Sequence, residues 1–370
     1  MRLKLAAALS IVTALLLLNS IAGAEPTAYK LGMILALSGD AANFGKAAQN
    51  GATLAMESLP QAERARIKLT FEDDGFKAAN SVSAFHKLVS IDKIDALICW
   101  SSGTCSAVAP LAEAAHLPTL AIASDAAISK GRSFLANLWV TPEEETKILV
   151  PEAVRRGIRK VAIVTAIQDG AIACRDAFLK ESKGQIESLL NEEFPGDLKD
   201  FRSTVTKIKR LTELDAVLVV LYPGQLGAFA KQLRQAGVTQ PIFGYETFED
   251  QAEVSASGGA LIGAWYATAG SADDSFIKRF EARFPGSNIV TASNAHDAVL
   301  LFAAASGARP DRESVAGYLR TVKNFSGASG TFSATGDNRF TLPATLRIVT
   351  KNGFEDLGRS AELQFRTQRP

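Results

Sequence analysis

Short apolar runs, bounded by charged or small residues, alternate along this chain with longer stretches whose apolar positions recur every three or four residues. Runs 29–37, 67–71, 96–99 and 118–122 predict strands, and stretches 44–59, 78–91 and 107–116 predict helices. The first helix carries Ala47, Ala48, Gly51, Leu54 and Ala55 on one face. Such alternation predicts an α/β fold with a doubly wound parallel sheet covered by helices on both faces. The pattern restarts at Thr141-Pro142-Glu143-Glu144-Glu145, where Thr141 suits a helix N-cap, Pro142 the first helical position and the acids the first turn. Strands are expected at 160–166, 186–194, 216–221 and 241–244, and helices at 172–180, 201–211 and 226–236. Helices at 276–284, 291–306 and 312–322 follow, and then strand-like runs at 345–350 and 354–357. No low-complexity linker separates the two halves, so they are expected to exchange elements at a hinge.

The first 24 residues read differently. Met1-Arg2-Leu3-Lys4 is basic, residues 5–18 are apolar, and Ala22-Gly23-Ala24 ends the segment in small residues. This is the layout of a cleavable secretory signal, shorter in its apolar part than the ~20 residues of a membrane span. Cleavage after Ala24 leaves a mature chain from Glu25 that is expected to be exported, soluble and too long for one core. Forty Lys+Arg against 39 Asp+Glu make the chain nearly neutral, which offers no electrostatic case for nucleic acid. Cys99, Cys105 and Cys174 are too few for a disulfide framework. Cys99 and Cys105 either pair or stand as two buried thiols.

The segment Ile94 to Ser106 carries the most chemistry. Its apolar run ends in Trp100-Ser101-Ser102-Gly103-Thr104, and a helical pattern follows. In an open α/β sheet, ligands sit where a loop leaves the carboxyl end of a strand, and the next helix points free N–H groups there. The chain lacks G-x-G, a P-loop and a G-x-S-x-G elbow, and His86, His116 and His296 lack metal-ligand spacing. Glu72-Asp73-Asp74 reads as a solvated turn before Gly75. No enzyme, cofactor or metal is expected.

Several motifs in order resemble the leucine/isoleucine/valine-binding protein family of solute-binding proteins for ABC importers. Leu35-Ala36-Leu37-Ser38-Gly39 with Phe44-Gly45 resembles that family's "GPLTG…YG", and Glu72-Asp73-Asp74 its "EDD". Ser101-Ser102-Gly103 with Ala109-Pro110-Leu111-Ala112-Glu113 resembles "SSG…APIAE". Asp200-Phe201 with Ile208-Lys209 resembles "DF…IK", and His296-Asp297-Ala298-Val299 resembles "YDAV". The resemblance implies the type I periplasmic-binding fold, two lobes closing on a small molecule. Lobe 1 would take residues 25–141 and 271–341, and lobe 2 residues 142–270 and 342–370. It implies a monomer in the periplasm that serves a membrane permease and ATPase.

Carried over, the resemblance places a ligand carboxylate on Ser102, or on Ser101 with a one-residue shift, and on the backbone of Ala123. Tyr222 and Glu246 would hold an ammonium, and Phe44 would be a pocket aromatic. Trp100 stands where a smaller side chain is usual, and Gly170 where a Tyr is common. Asp125 stands where the family has a carboxylate-contacting Thr. If Asp125 faces the cleft, two acids favour a cationic or donor-rich neutral ligand; if it caps residues 126–129, a zwitterionic amino acid fits. An amide- or other small-molecule sensor on the same fold is the alternative to an importer component.

Overall fold

The computed structural model describes residues 28–307 and 311–357. The leader-like segment 1–24 and the tail 358–370 lie outside the described residues. Two sheets organise the chain. The first contains β1 (Tyr29–Leu35), β2 (Ile67–Asp73), β3 (Ala96–Trp100), β4 (Thr119–Ile122) and β5 (Leu135–Asn137) in the order β2-β1-β3-β4-β5, all parallel. The second contains β6 (Lys160–Ala166), β7 (Glu187–Phe194), β8 (Ala216–Val220), β9 (Ile242–Gly244), β10 (Trp265–Ala269), β13 (Ala344–Thr350) and β14 (Gly353–Asp356). Its order is β14-β13-β10-β9-β8-β6-β7, parallel except for the two C-terminal strands. A small hairpin, β11 (Phe325–Gly327) with β12 (Gly330–Phe332), completes the β structure among the described residues.

Every residue of β3 and of β8 is buried. Helices cover both sheet faces, which is why these strands read as unbroken apolar runs rather than as alternation. Each sheet has its own core, one centred on Ile163, Leu218 and Phe243 and the other on Leu31, Ile98 and Leu120. The helix Ala292–Ala305 packs on the helix Ala42–Ser58 beside the first sheet. Gly51 permits that approach, since a Cβ there would stand 2.0 Å from the carbonyl oxygen of Ala292. The helix Pro142–Arg155 packs on β10 and β13. The chain therefore passes between the lobes at residues 138–141, again after β10, and a third time just before β13.

Three local differences from the sequence pattern bear on the site. The helix after β3 starts at Ser102 rather than at residue 107, so the hydroxyl residues form its cap and first turn instead of a loop. The pattern also passes over β10. Its Ala267-Thr268-Ala269 half carries little apolar signal, and burial between β9 and β13 makes the strand. The three-residue β5 was too short to show a period.

Candidate ligand-binding cleft

The carboxyl ends of β1, β3 and β4 face those of β8 and β9 across a cleft, next to the points where strand order reverses in each sheet. On the first wall the sharp feature is Ser101, which sits at φ 80 where L-residues are rare. Its N–H donates to Ile122 O at 3.0 Å and its carbonyl accepts from Cys105 N at 3.0 Å. The Ser101 hydroxyl accepts from Thr104 N at 3.3 Å, so it is a helix N-cap, and it donates to Thr104 Oγ1 at 3.0 Å. Thr104 in turn donates to Asp74, which is fully buried and also accepts from Ser81 Oγ and Phe76 N, both at 2.8 Å. Asp74 is thus an internal anchor for the elbow and not part of a solvated turn. Cys99 and Cys105 are joined by a disulfide across the same elbow, with Cα atoms 5.5 Å apart. Backbone strain at such an elbow costs of order 1–3 kcal/mol and persists only where surroundings over-determine it.

Ser102 Oγ lines the cleft and accepts the N–H of Asp125 at 3.0 Å. Two expected ligand contacts are corrected here. Asp125 accepts from Ala127 N at 2.8 Å and caps the short 3-10 turn Ala126–Ser129, so its carboxylate is turned away from the cavity. An Asp beside an open turn of backbone N–H groups satisfies them more cheaply than it crowds another acid. The backbone of Ala123 lines the cavity but is already engaged: its N–H donates to Asn137 Oδ1 at 3.3 Å and its carbonyl accepts from Asn137 Nδ2 at 2.8 Å. That leaves no free Ala123 donor for a ligand carboxylate.

On the opposite wall, Tyr222 follows β8 and Glu246 opens the 3-10 turn Glu246–Glu249 after β9. Ser124 Oγ donates to Glu246 Oε1 at 3.0 Å across the cleft, and Glu246 Oε2 is buried without a partner. Burial pushes the Glu246 carboxyl above its ordinary range. Behind it lies an acid that sequence reasoning missed. Glu145, in the first turn of Pro142–Arg155, is fully buried with neither carboxyl oxygen partnered. Burial first, and the charge of Glu246 second, push Glu145 well above the usual carboxylate range. Gly170 stands at the start of the helix Asp169–Glu181, where a Cβ would meet Tyr222 Oη at 2.6 Å and Ser102 Oγ at 2.8 Å.

The space between these walls, partly open to solvent, amounts to about 460 Å³. Phe44 and Trp100 line it, their rings stacked at 6.1 Å. Phe76 bridges Trp100 at 5.9 Å to Tyr222 at 5.3 Å, which carries the aromatic contact across the two lobes. Glu246 is the one charged residue among those lining the cavity. Ser124, Trp139, Thr247 and Thr291 also line it and were not foreseen. Ser124 and Trp139 lie just past the ends of β4 and β5, as Tyr222 lies just past β8, so strand-end position was the signal that could have found them. Among the described residues no group of three His, Cys, Asp or Glu side chains is arranged to hold a metal ion.

Residues 28–353 match the protein family described as "Periplasmic binding protein". No curated protein sequence matches the chain. Solved structures match across about nine-tenths of it. The leucine-binding protein LivK of Thermotoga maritima superposes with a TM-score of 0.83 at 20% identity, covering 88% of this chain and 97% of that one. The branched-chain amino-acid transporter substrate-binding protein LivJ of Streptococcus pneumoniae, in complex with isoleucine, gives 0.80 at 23% identity over 90% and 99%. An ABC-transporter solute-binding protein of R. palustris, in complex with benzoate, gives 0.80 at 21% identity over 89% and 95%. At these identities the likeness is one of fold, the two-lobed type I arrangement.

Proposed function

The chain belongs to the periplasmic binding protein family, and on that premise we propose that it is the binding component of an ABC importer that captures an α-amino acid between its lobes. The observation that carries this reading is Glu246, the sole charged side chain lining the cavity, with one oxygen held by Ser124 and the other buried and free. A buried carboxylate without a partner is costly, and a ligand ammonium supplies what is missing. Tyr222 lies beside it with its ring against Phe76 and its hydroxyl near Gly170, able to offer an oxygen to the same ammonium. The carboxylate goes to Ser102 and the N-terminus of the helix Ser102–Ala114, where amide dipoles favour an anion without any cationic side chain. Phe44 and Trp100 then wall the ligand's body. The named ligands of the solved relatives, isoleucine and benzoate, both combine a carboxylate with an apolar body of similar size.

Closure is ligand-dependent in this account. The lobes also meet through Lys199–Asp40 at 2.7 Å and Asn43 Nδ2 to Asp250 Oδ1 at 3.1 Å. An exposed ion pair such as Lys199–Asp40 contributes about 0–1 kcal/mol, too little to hold two domains shut alone. Residues 25–141 with 271–341 would move as one lobe and 142–270 with 342–370 as the other. Export through residues 1–24, a monomeric state and delivery to a permease and ATPase complete the proposal. Thermal-shift screening of the chain from Glu25 against amino acids, amides, polyamines and aromatic acids tests it, because a ligand of the folded state raises the melting temperature. Amino acids should head the ranking; shifts confined to polyamines or to acids without an amine would refute the reading.

A further inference from the structure

Trp139 is buried at 3% exposure, and its indole Nε1 has no hydrogen-bond partner. Its side chain lines the ligand cavity and also a second chamber of about 630 Å³. The second chamber is of mixed lining, with Thr268, Ser293, Asn294 and Arg347 beside Ile277, Ile289 and Val290, and it meets the first at Trp139 and Thr291. The same ligand cavity is lined by Ser102, Tyr222 and Glu246, the groups read above as holding the amino-acid head. Trp139 thus stands where the ligand cavity adjoins the second chamber. Thr291, whose hydroxyl donates to Phe44 O at 3.1 Å, makes no hydrogen bond to that indole.

Buried donors in folded proteins are almost always satisfied, so an orphan donor on a residue that lines the ligand cavity points to an acceptor on the ligand. Resting on the amino-acid reading of the site, we propose that the Trp139 N–H donates to an acceptor on the ligand's side chain. The preferred class is then an amino acid whose side chain ends in a hydroxyl, carbonyl or carboxylate oxygen, rather than an aliphatic one. The aromatic wall of Phe44, Trp100 and Phe76 suits a flat side chain on the way to that donor. A site built around a hydrogen bond rejects the analogue lacking it far more strongly than an apolar pocket rejects a missing methylene.

Matched pairs test this by calorimetry on the chain from Glu25: L-tyrosine against L-phenylalanine, and L-glutamine against L-methionine. We expect the acceptor-bearing member of at least one pair to bind at least tenfold tighter. Trp139→Phe, which keeps a ring and removes the N–H, should abolish that preference. In the wild type, the indole N–H resonance of Trp139, one of only three tryptophans, should move on adding the acceptor-bearing member and not its partner. That measurement holds even if the variant fails to fold. Equal affinities within both pairs, or a preference that survives Trp139→Phe, overturn the inference alone. Failure of all four to bind at millimolar concentration overturns the amino-acid reading and the inference with it.

Discussion

Gly170→Ala should weaken ligand binding without weakening the fold. The added Cβ would stand 2.6 Å from Tyr222 Oη and 2.8 Å from Ser102 Oγ, closer than real Cβ contacts allow, so both oxygens must yield by several tenths of an ångström. Tyr222 belongs to the same lobe and can turn aside when the cleft is open. Ser102 belongs to the other lobe and comes within reach only on closure. Overpacking of this kind costs about 1–3 kcal/mol, and here the cost falls on the closed, liganded state alone. It converts to a dissociation constant weaker by about 5- to 150-fold. Alanine in place of glycine in the helix Asp169–Glu181 favours the lobe itself by about 0.5–1 kcal/mol, in open and closed states alike. The melting temperature of the unliganded variant should therefore hold or rise while affinity falls. Calorimetry with whichever amino acid binds best, paired with small-angle scattering, reads both effects. The ligand-induced drop in radius of gyration should shrink. A dissociation constant within twofold of wild type, or a melting temperature that falls in parallel with affinity, would refute the reasoning.

Cys99→Ala with Cys105→Ala removes a cross-link over a six-residue separation, which should cost roughly 2 kcal/mol of stability by loop-closure entropy and weaken ligand binding by loosening the Ser101–Ser102 elbow. A melting temperature unchanged by the double variant, or by reductant on the wild type, would count against it. Burial, with the charge of Glu246, raises the Glu145 carboxyl well above the usual range, so its contribution is complete below about pH 4.3, the unfolded value, and is lost as pH rises toward its raised folded value. Denaturant titrations from pH 5 to 8 should show stability falling with pH, and Glu145→Gln should flatten that slope and be the more stable protein at pH 8; an unaltered slope would show that Glu145 ionises freely in the fold. Asp74→Ala should destabilise the elbow, since Thr104, Ser81 and the Phe76 N–H lose one buried acceptor, and circular-dichroism melts that match wild type would remove its anchoring role.

Most strands and helices were legible because parallel strands buried on both faces leave unbroken apolar runs, as in Ala216–Val220, and because caps such as Thr141 mark helix starts. The cleft was legible through the family resemblance, which brought Ser102, Tyr222 and Glu246 forward together, and all three lie just past strand ends. What escaped was set by tertiary surroundings. Whether Asp125 faces a ligand or caps a turn depends on Ala127 N lying 2.8 Å away, and both choices suit the same sequence. Ala123 lost its donor to Asn137, a partner brought near by β5, which was too short to be seen. Glu145 reads as one of three first-turn acids suited to a helix dipole, yet it is buried while Glu143 and Glu144 are exposed. Trp139 lies on a crossing between lobes, where periodicity carries no signal.

The central claim is that Glu246 waits for a ligand amine. It is tested most directly by calorimetric titration of the tightest-binding L-amino acid beside its des-amino carboxylic acid, each against wild type and Glu246→Gln. Losing one side of a buried charge pair costs about 2–5 kcal/mol, so the wild type should bind the amino acid at least 30-fold tighter than the des-amino acid. In Glu246→Gln that margin should fall below about threefold. Equal binding of the two compounds by the wild type, or a margin untouched by Glu246→Gln, would contradict the account.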